Sequence, residues 1–224
     1  MIIDVFLPCR SSSQRVKNKN IKKFSNKKFG LFELKILQLI LVKNIRNIIV
    51  STNDKKIIRY IKLKNFKKVI LDVRPDNLCT SMTSTDNLIK YVPKVVFSDH
   101  ILWTHVTSPF FNENDYLKAI ILYKKNLKKY DSLMGVTKIQ DFIYNSKKPI
   151  NYNKSKEKWP RTQTLKKWFV VNNTIFISSR KNYLRFRDRI GIKPKLMEIE
   201  KIKSFDVDWP EDFKIAEKIY ETKF

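Results

Sequence analysis

Glycine is nearly missing from this chain, with three in 224 residues, and the glycine-framed phosphate spacing GxxxxGK[ST] does not occur. A P-loop NTPase site is therefore excluded. Cysteine is almost as rare. Cys9 and Cys79 stand far apart, outside any CxxC spacing or Cys/His cluster, which excludes a zinc module and a disulfide framework and fits a reducing compartment. No apolar run approaches the ~20 residues of a membrane span. The apolar start Met1-Ile2-Ile3-Asp4-Val5-Phe6-Leu7 lacks a basic leader region and runs straight into Pro8. It reads as a first strand rather than a signal peptide, and a cytoplasmic protein is expected.

Acidic side chains are the other shortage. Against 47 Lys+Arg stand 21 Asp+Glu, a formal charge of +26. Such a field attracts nucleic acid, anionic membranes or phosphorylated small molecules without choosing among them. Here the basic residues are spread along the whole chain rather than gathered into an arm, and Lys, Asn and Ile, which share A/T-only codons, are all abundant. A compositional origin of the charge outweighs nucleic-acid binding. What the chain does have is a core: 42% hydrophobic and 12% aromatic residues are enough apolar surface to offset the entropy of folding. Its length suits one domain over residues 1–224.

Short β-rich runs alternate with helical patterns over the first three-fifths of the sequence, the mark of βαβ units and a mainly parallel sheet. Strands are predicted at Ile2–Leu7, Asn47–Ser51, Lys68–Leu71, Ile101–His105 and Ser132–Val136. Helices are predicted over Phe32–Lys43, over Asp54–Leu63, in the run that Pro93 ends, and from Glu113 to Lys129 behind an Asn112 N-cap. From Thr137 to Lys167 the pattern dissolves into a Lys/Asn/Pro-rich stretch, a length that is usually functional or covered by a partner. Strands resume at Thr174–Ser178 and Lys195–Ile199, and after Phe205-Asp206-Val207-Asp208 a helix from about Pro210 to Glu221 closes the chain.

Two stretches carry chemistry. The loop from Pro8 to Asn20 follows the first strand and so leaves the sheet at a strand's carboxyl end, where open α/β sheets bind ligands. Its small hydroxyl residues let backbone N–H groups approach an anion, and Arg10, Arg15 and Lys19 offer charged donors to phosphate. A solvated basic loop in a basic protein is the plain alternative. In the second stretch, strand alternation would send Asp206 and Asp208 to one face with Val207 opposite, as two carboxylates sharing a hard cation require. Asp208-Trp209-Pro210-Glu211 equally fits a helix N-cap with its capping acid. His105 is either a substrate contact or a satisfied histidine at a strand end, and Arg161 and Gln163 lie in what composition alone makes a surface linker.

The first loop, Pro-x-Arg-x-x-Ser-x-Arg-x-x-x-Lys-Asn from Pro8 to Asn20, resembles the signature loop of the N-acylneuraminate cytidylyltransferases, the CMP-sugar synthetases. Arg74-Pro75-Asp76-x-Leu78, Ser84-Thr85-Asp86, Thr107-Ser108-Pro109, Arg161-x-Gln163, Asn172 with Ile175-Phe176-Ile177, and Phe205-Asp206-Val207-Asp208 match later family segments in the same order. The resemblance implies a Rossmann-like, three-layer nucleotidyltransferase fold with a dimerisation and substrate arm inserted at 137–167. It implies transfer of CMP from CTP to the anomeric hydroxyl of an acidic α-keto sugar, with pyrophosphate leaving, in a homodimer. Carried over, Arg10 and Lys19 hold the triphosphate, Ser13 a phosphate, Asn20 and Arg74 the nucleotide, and Asp206 and Asp208 magnesium. His105 and Gln163 would face the sugar, and Arg161 would bind its anionic group. Four departures accompany the match: Gln14 where the family has Lys, Ser11 and Ser12 for glycines, Ser81 for Asp, and Phe110-Phe111 for Leu-Arg. A catalytically dead relative and a basic RNA-binding protein are the rival expectations.

Overall fold

The computed structural model describes residues 1–11 and 13–223. Seven strands form one sheet: β1 (Ile3–Pro8), β2 (Ile45–Thr52), β3 (Val69–Val73), β4 (His100–Trp103), β5 (Ser132–Ile139), β6 (Trp168–Ser179) and β7 (Pro194–Glu198). Their spatial order is β3-β2-β1-β4-β6-β5-β7, and all run the same way except β6, which is antiparallel to both β4 and β5. Six helices cover it: α1 (Gly30–Ile40), α2 (Lys55–Lys64), α3 (Thr85–Val95), α4 (Glu113–Asn126), α5 (Arg180–Phe186) and α6 (Pro210–Lys223). This is the mixed, mainly parallel α/β sheet expected.

Strand alternation splits the apolar residues between two faces. Ile3, Val5 and Leu7 of β1 join Leu102 of β4 and Ile175 and Ile177 of β6 in a core closed by α1, α4 and α6. Phe6, Trp103 and Phe176 point the other way, into a core closed by Ile89 and Val92 of α3 and Tyr183 of α5. The helices α2 to α5 begin on side-chain caps. Asp54, Ser84 and Ser179 each accept a first-turn N–H, and Asn112 with Asp115 makes a reciprocal capping box. Gly30 opens α1 at φ 67°, where an added Cβ would lie 2.2 Å from Lys22 O. Glycine is therefore required at that turn.

Several boundaries differ from expectation, each for a physical reason. Pro93 does not end its helix: α3 runs to Val95, since Val92 and Pro93 are buried and the Val96 N–H still reaches Val92 O at 2.9 Å. β5 continues past Val136 to Ile139, paired with Trp168–Val171 of β6. Thr137–Ile139 thus belong to the sheet, and the irregular arm starts at Gln140. The helix α5 had no counterpart in the sequence pattern. Asp206–Asp208 lie in no strand; they form an extended link anchored by the buried Val207, whose N–H donates to Thr107 O at 2.9 Å.

Candidate active site

In the strand order, β2 and β3 lie on one side of β1 and β4 lies on the other, so the chain's direction of winding reverses between β1 and β4. The carboxyl ends of two such strands splay apart and leave a crevice. A cleft of about 210 Å³ opens there, lined by Arg10, Ser13, Arg15, Lys19 and Asn20 from the loop after β1 and by His105 and Thr107 from the turn after β4.

The loop is held by backbone and amide bonds in place of the missing glycines. Cys9 N–H donates to Ser51 O (2.9 Å), Ser11 N–H to Asn53 Oδ1 (3.0 Å), and Asn20 Nδ2 to Arg10 O (3.2 Å), while Asn20 O accepts from the Phe32 N–H at 2.8 Å. Asn18 takes a positive φ of 56°, which Asn tolerates better than most residues. Arg10 Nη1 donates to Thr80 O at 2.6 Å, joining the loop to the Ser/Thr-rich stretch after β3. Ser12 falls outside the described residues.

Lys19 and Arg15 tie this loop to the acidic link. Lys19 Nζ donates to Val207 O at 2.7 Å and to Asp208 Oδ1 at 3.2 Å, and Arg15 Nη2 reaches the same Oδ1 at 3.0 Å while its guanidinium lies over the Trp209 ring. The capping alternative for Asp208 is resolved: Asp212 Oδ2 accepts the N–H of Asp208 (3.0 Å) and of Trp209 (2.7 Å). Asp212, not Asp208 or Glu211, starts α6, so the Asp208 carboxylate is left to the cations.

Asp206 is set differently. Its Oδ2 accepts from Asn173 Nδ2 at 3.3 Å, and its Oδ1 is buried with no hydrogen-bond partner. Burial raises its pKa, opposed by the Thr107 and Asn173 side chains and by the Lys19 charge, and reinforced by Asp208. It borders a second hollow, of about 690 Å³, between the ends of β5, β6 and the segment after β7. An orphaned carboxylate oxygen beside a second carboxylate suits a hard cation that keeps most of its waters, as magnesium does. Among the described residues there is no cluster of three or more Asp, Glu, His or Cys to form an all-protein cage.

His105 lies in the cleft wall and accepts from Trp103 Nε1–H at its Nε2 (2.9 Å). Burial, then the charges of Arg189, Lys19 and Arg74, lower its pKa to about 3, so the ring is neutral with its proton on Nδ1. The remaining expected residues do not converge on the cleft. Arg74 is 3% exposed and donates from Nε to Ser51 Oγ (3.0 Å) and from Nη2 to Ser51 O. Ser51 in turn bonds Asp72, so Arg74 sits behind the loop as a brace. Arg161 and Gln163 are exposed on a short helical turn of the arm, Thr162–Thr164, and line no part of the cleft.

Four contributors were not legible beforehand. Thr107, in the turn after β4, and Asn173 of β6 flank Asp206. Lys35 and Gln38 of α1 hold the turn after β4: Lys35 Nζ donates to Ser108 O (2.8 Å) and Phe111 O (2.9 Å), and Gln38 Nε2 to Pro109 O (2.9 Å). The one signal available was two polar residues on an otherwise apolar helix face.

A family profile described as cytidylyltransferase matches residues 5–224. The chain belongs to the cytidylyltransferase family. A curated relative, N-acylneuraminate cytidylyltransferase of Escherichia coli O18:K1:H7, is 24% identical over 233 residues, covering 99% of this chain and 52% of the relative. The chain thus spans about half the length of the curated relative it matches. Among solved structures, CMP:2-keto-3-deoxy-manno-octonic acid synthetase complexed with CTP superposes with a TM-score of 0.70 at 14% identity, over 100% of both chains. The 4-diphosphocytidyl-2C-methyl-D-erythritol synthase of Anaerococcus prevotii superposes with a TM-score of 0.70 at 17% identity, over 98% of this chain and 96% of that one. At such identities the likeness of structure concerns the fold: the Rossmann-like nucleotidyltransferase sheet.

Proposed function

We propose that this cytidylyltransferase transfers CMP from CTP to the anomeric hydroxyl of an acidic α-keto sugar, an acylneuraminate or a related nonulosonic acid. The observation that carries the reading is the gathering of Arg10, Arg15 and Lys19 at the β1/β4 crevice, where Arg15 and Lys19 pair with Asp208. In-line displacement at phosphorus asks a protein for alignment and charge neutralisation rather than covalent help. The sugar hydroxyl oxygen would bond to the α-phosphorus as the bond to the bridging oxygen of the β-phosphate breaks. The hydroxyl loses its proton to solvent, and pyrophosphate leaves with the electron pair. Arg10 and Lys19 would hold the phosphates as that charge develops, Ser13 and the loop amides would orient them, and Asn20 would keep the loop in register through its bond to Arg10 O.

Magnesium, held by Asp206 and Asp208, would supply charge neutralisation on the triphosphate. Lys19 and Arg15, which pair with Asp208 here, would turn to phosphate oxygens, a swap that keeps every charge paired. His105, neutral at pH 7, would donate from Nδ1 to the acceptor. We further assign the arm that starts at Gln140 to contact between two copies of the chain, with Arg161 and Gln163 serving that contact.

The test is magnesium-dependent pyrophosphate release from CTP with a panel of α-keto acid sugars, run beside ATP, GTP and UTP. Turnover with CTP and one acid sugar is expected. Asp206→Ala and Asp208→Ala are each expected to lower kcat by 10²-fold or more, on the order of the loss of one transition-state charge contact. Full turnover in the double variant would remove the metal assignment, and preference for UTP or ATP would remove the cytidylyl assignment.

A further inference from the structure

The turn that follows Arg15 gathers cations around a second space. Lys19 N–H donates to Val16 O at 3.1 Å, and the N–H groups of Ile21 and Lys22 donate to Asn18 O at 2.9 and 2.8 Å, above a Val16 side chain that is buried. A backbone braced in this way fixes where Lys17 and Lys22 leave the chain. Lys22 Nζ rests 4.8 Å from the centre of the Phe213 ring on α6, and Lys56 comes in from the first turn of α2. With Arg15, these three lysines line a hollow of about 390 Å³ whose wall holds no carboxylate. The ammonium groups of Lys17 and Lys56 make no hydrogen bond or ion pair among the described residues. Asp208 reaches the group only through Arg15, and the Asp54 carboxylate caps the Lys56 backbone N–H at 2.9 Å. Four cations around one space repel one another, and a compact polyanion relieves that repulsion while accepting their hydrogen bonds.

We propose that this hollow binds inorganic pyrophosphate and serves as a stopping place for the product on its way out of the cleft. The inference rests on the CMP-transfer reading above, which makes pyrophosphate the leaving group. Arg15 is the one residue that lines both the cleft and the hollow. An anion held at Arg10, Arg15 and Lys19 can therefore pass to Lys17, Lys22 and Lys56 without losing contact with a cation. Pyrophosphate carries charged oxygens at both ends of a short ion, and the lysines meet it from two sides, the loop and α2. Ammonium groups on flexible stems suit such a ligand, since each acts as a point charge with donors that can turn to whichever oxygen is presented. Lys17, Lys22 and Lys56 line no part of the cleft, so CTP binding does not depend on them.

The test is calorimetric titration of the whole chain with pyrophosphate at one fixed salt concentration and with no acceptor sugar present, first alone and then saturated with CTP. The wild type is expected to show two sites, one displaced by CTP and one that persists. Combining Lys17→Gln, Lys22→Gln and Lys56→Gln should weaken the persistent site on the order of tenfold or more, as the loss of three charged donors implies, and leave CTP affinity unchanged. A charge-matched control combines Lys55→Gln, Arg59→Gln and Lys62→Gln, which line a separate hollow on α2. It should leave the persistent site within about twofold of wild type, because charges beyond direct contact are screened. An equal loss in the control would show that the net charge of the chain collects the anion, and it overturns the site. So does a wild type in which CTP displaces all bound pyrophosphate; the CMP-transfer reading then stands without the hollow. If CTP neither binds nor displaces pyrophosphate, the transfer reading fails, and the hollow loses its product with it.

Discussion

A lysine that no solvent reaches ties the stability of the fold to pH near neutrality. Lys35 is 0% exposed, bonded to two carbonyls and placed over the Tyr116 ring, 5.0 Å from its centre. Burial lowers its pKa from 10.5 to about 7, opposed by the charges of Asp115 and Glu113 on α4. Asp115 is itself paired with Lys203 at 2.6 Å. In the unfolded chain the ammonium keeps its proton up to 10.5, so between about pH 7 and 10.5 the unfolded state binds more protons than the folded one. Stability from this group therefore rises with pH across that window, and below pH 7 its penalty is constant because both states are charged. Urea unfolding at pH 7, 8 and 9 should show an upward slope in the wild type that Lys35→Met lacks. Equal slopes would mean that Lys35 titrates as an exposed lysine does. The same residue bears on the site, because Lys35 fixes the Ser108–Phe111 turn and Thr107, next to it, holds Val207 between the two aspartates. From the sequence it was one lysine among many. Asp208, by contrast, was legible as a carboxylate with two possible roles, and only the position of Asp212 decides between them.

At the scale of elements, the start of α6 shows why local pattern reached the helix but not its cap. Asp208, Glu211 and Asp212 all lie within reach of the first turn in sequence, and periodicity is blind to which one turns inward. Asp212 accepts two N–H groups, whereas Glu211 is exposed. Asp212→Ala is expected to cost about 1 kcal/mol, the ordinary value of a cap. Glu211→Ala should stay within about 0.5 kcal/mol of wild type, as surface changes do. Chemical denaturation of the two variants measures this, and the reverse ranking would restore Glu211 as the capping acid. β5 and β6 make the complementary point. Thr137–Ile139 and Trp168–Val171 are strands because they pair with each other across a gap of about thirty residues, and neither carries the alternation that one buried face imprints. Interior strands such as β1 and β4 were visible because burial on both faces leaves an unbroken apolar run. Arg74 makes the same point: its motif survives in order, but whether its guanidinium points into the cleft or into Ser51, as it does here, is decided by packing.

For the whole molecule, two properties oppose each other. The outer half of β6 leaves Trp168, Phe169, Val170 and Val171 between 38% and 50% exposed, a row of large apolar side chains of the kind that marks an interaction site. The chain also carries a formal charge of +26, which makes any two copies repel. If the contact between copies that we assign to the arm also covers this strand, salt has a definite sign. Screening weakens the repulsion over roughly 10 Å at 0.1 M and leaves apolar burial intact, so dimerisation should strengthen as salt rises. Binding to nucleic acid would do the opposite, losing affinity steeply as released counterions are replaced. Sedimentation of the protein alone between 50 mM and 500 mM salt should therefore move from monomer toward dimer, and Phe169→Asp should hold it monomeric at every salt. A dimer that dissociates on adding salt would assign the contact to charge rather than to the β6 row, and a monomer at all concentrations would leave that row to some other partner.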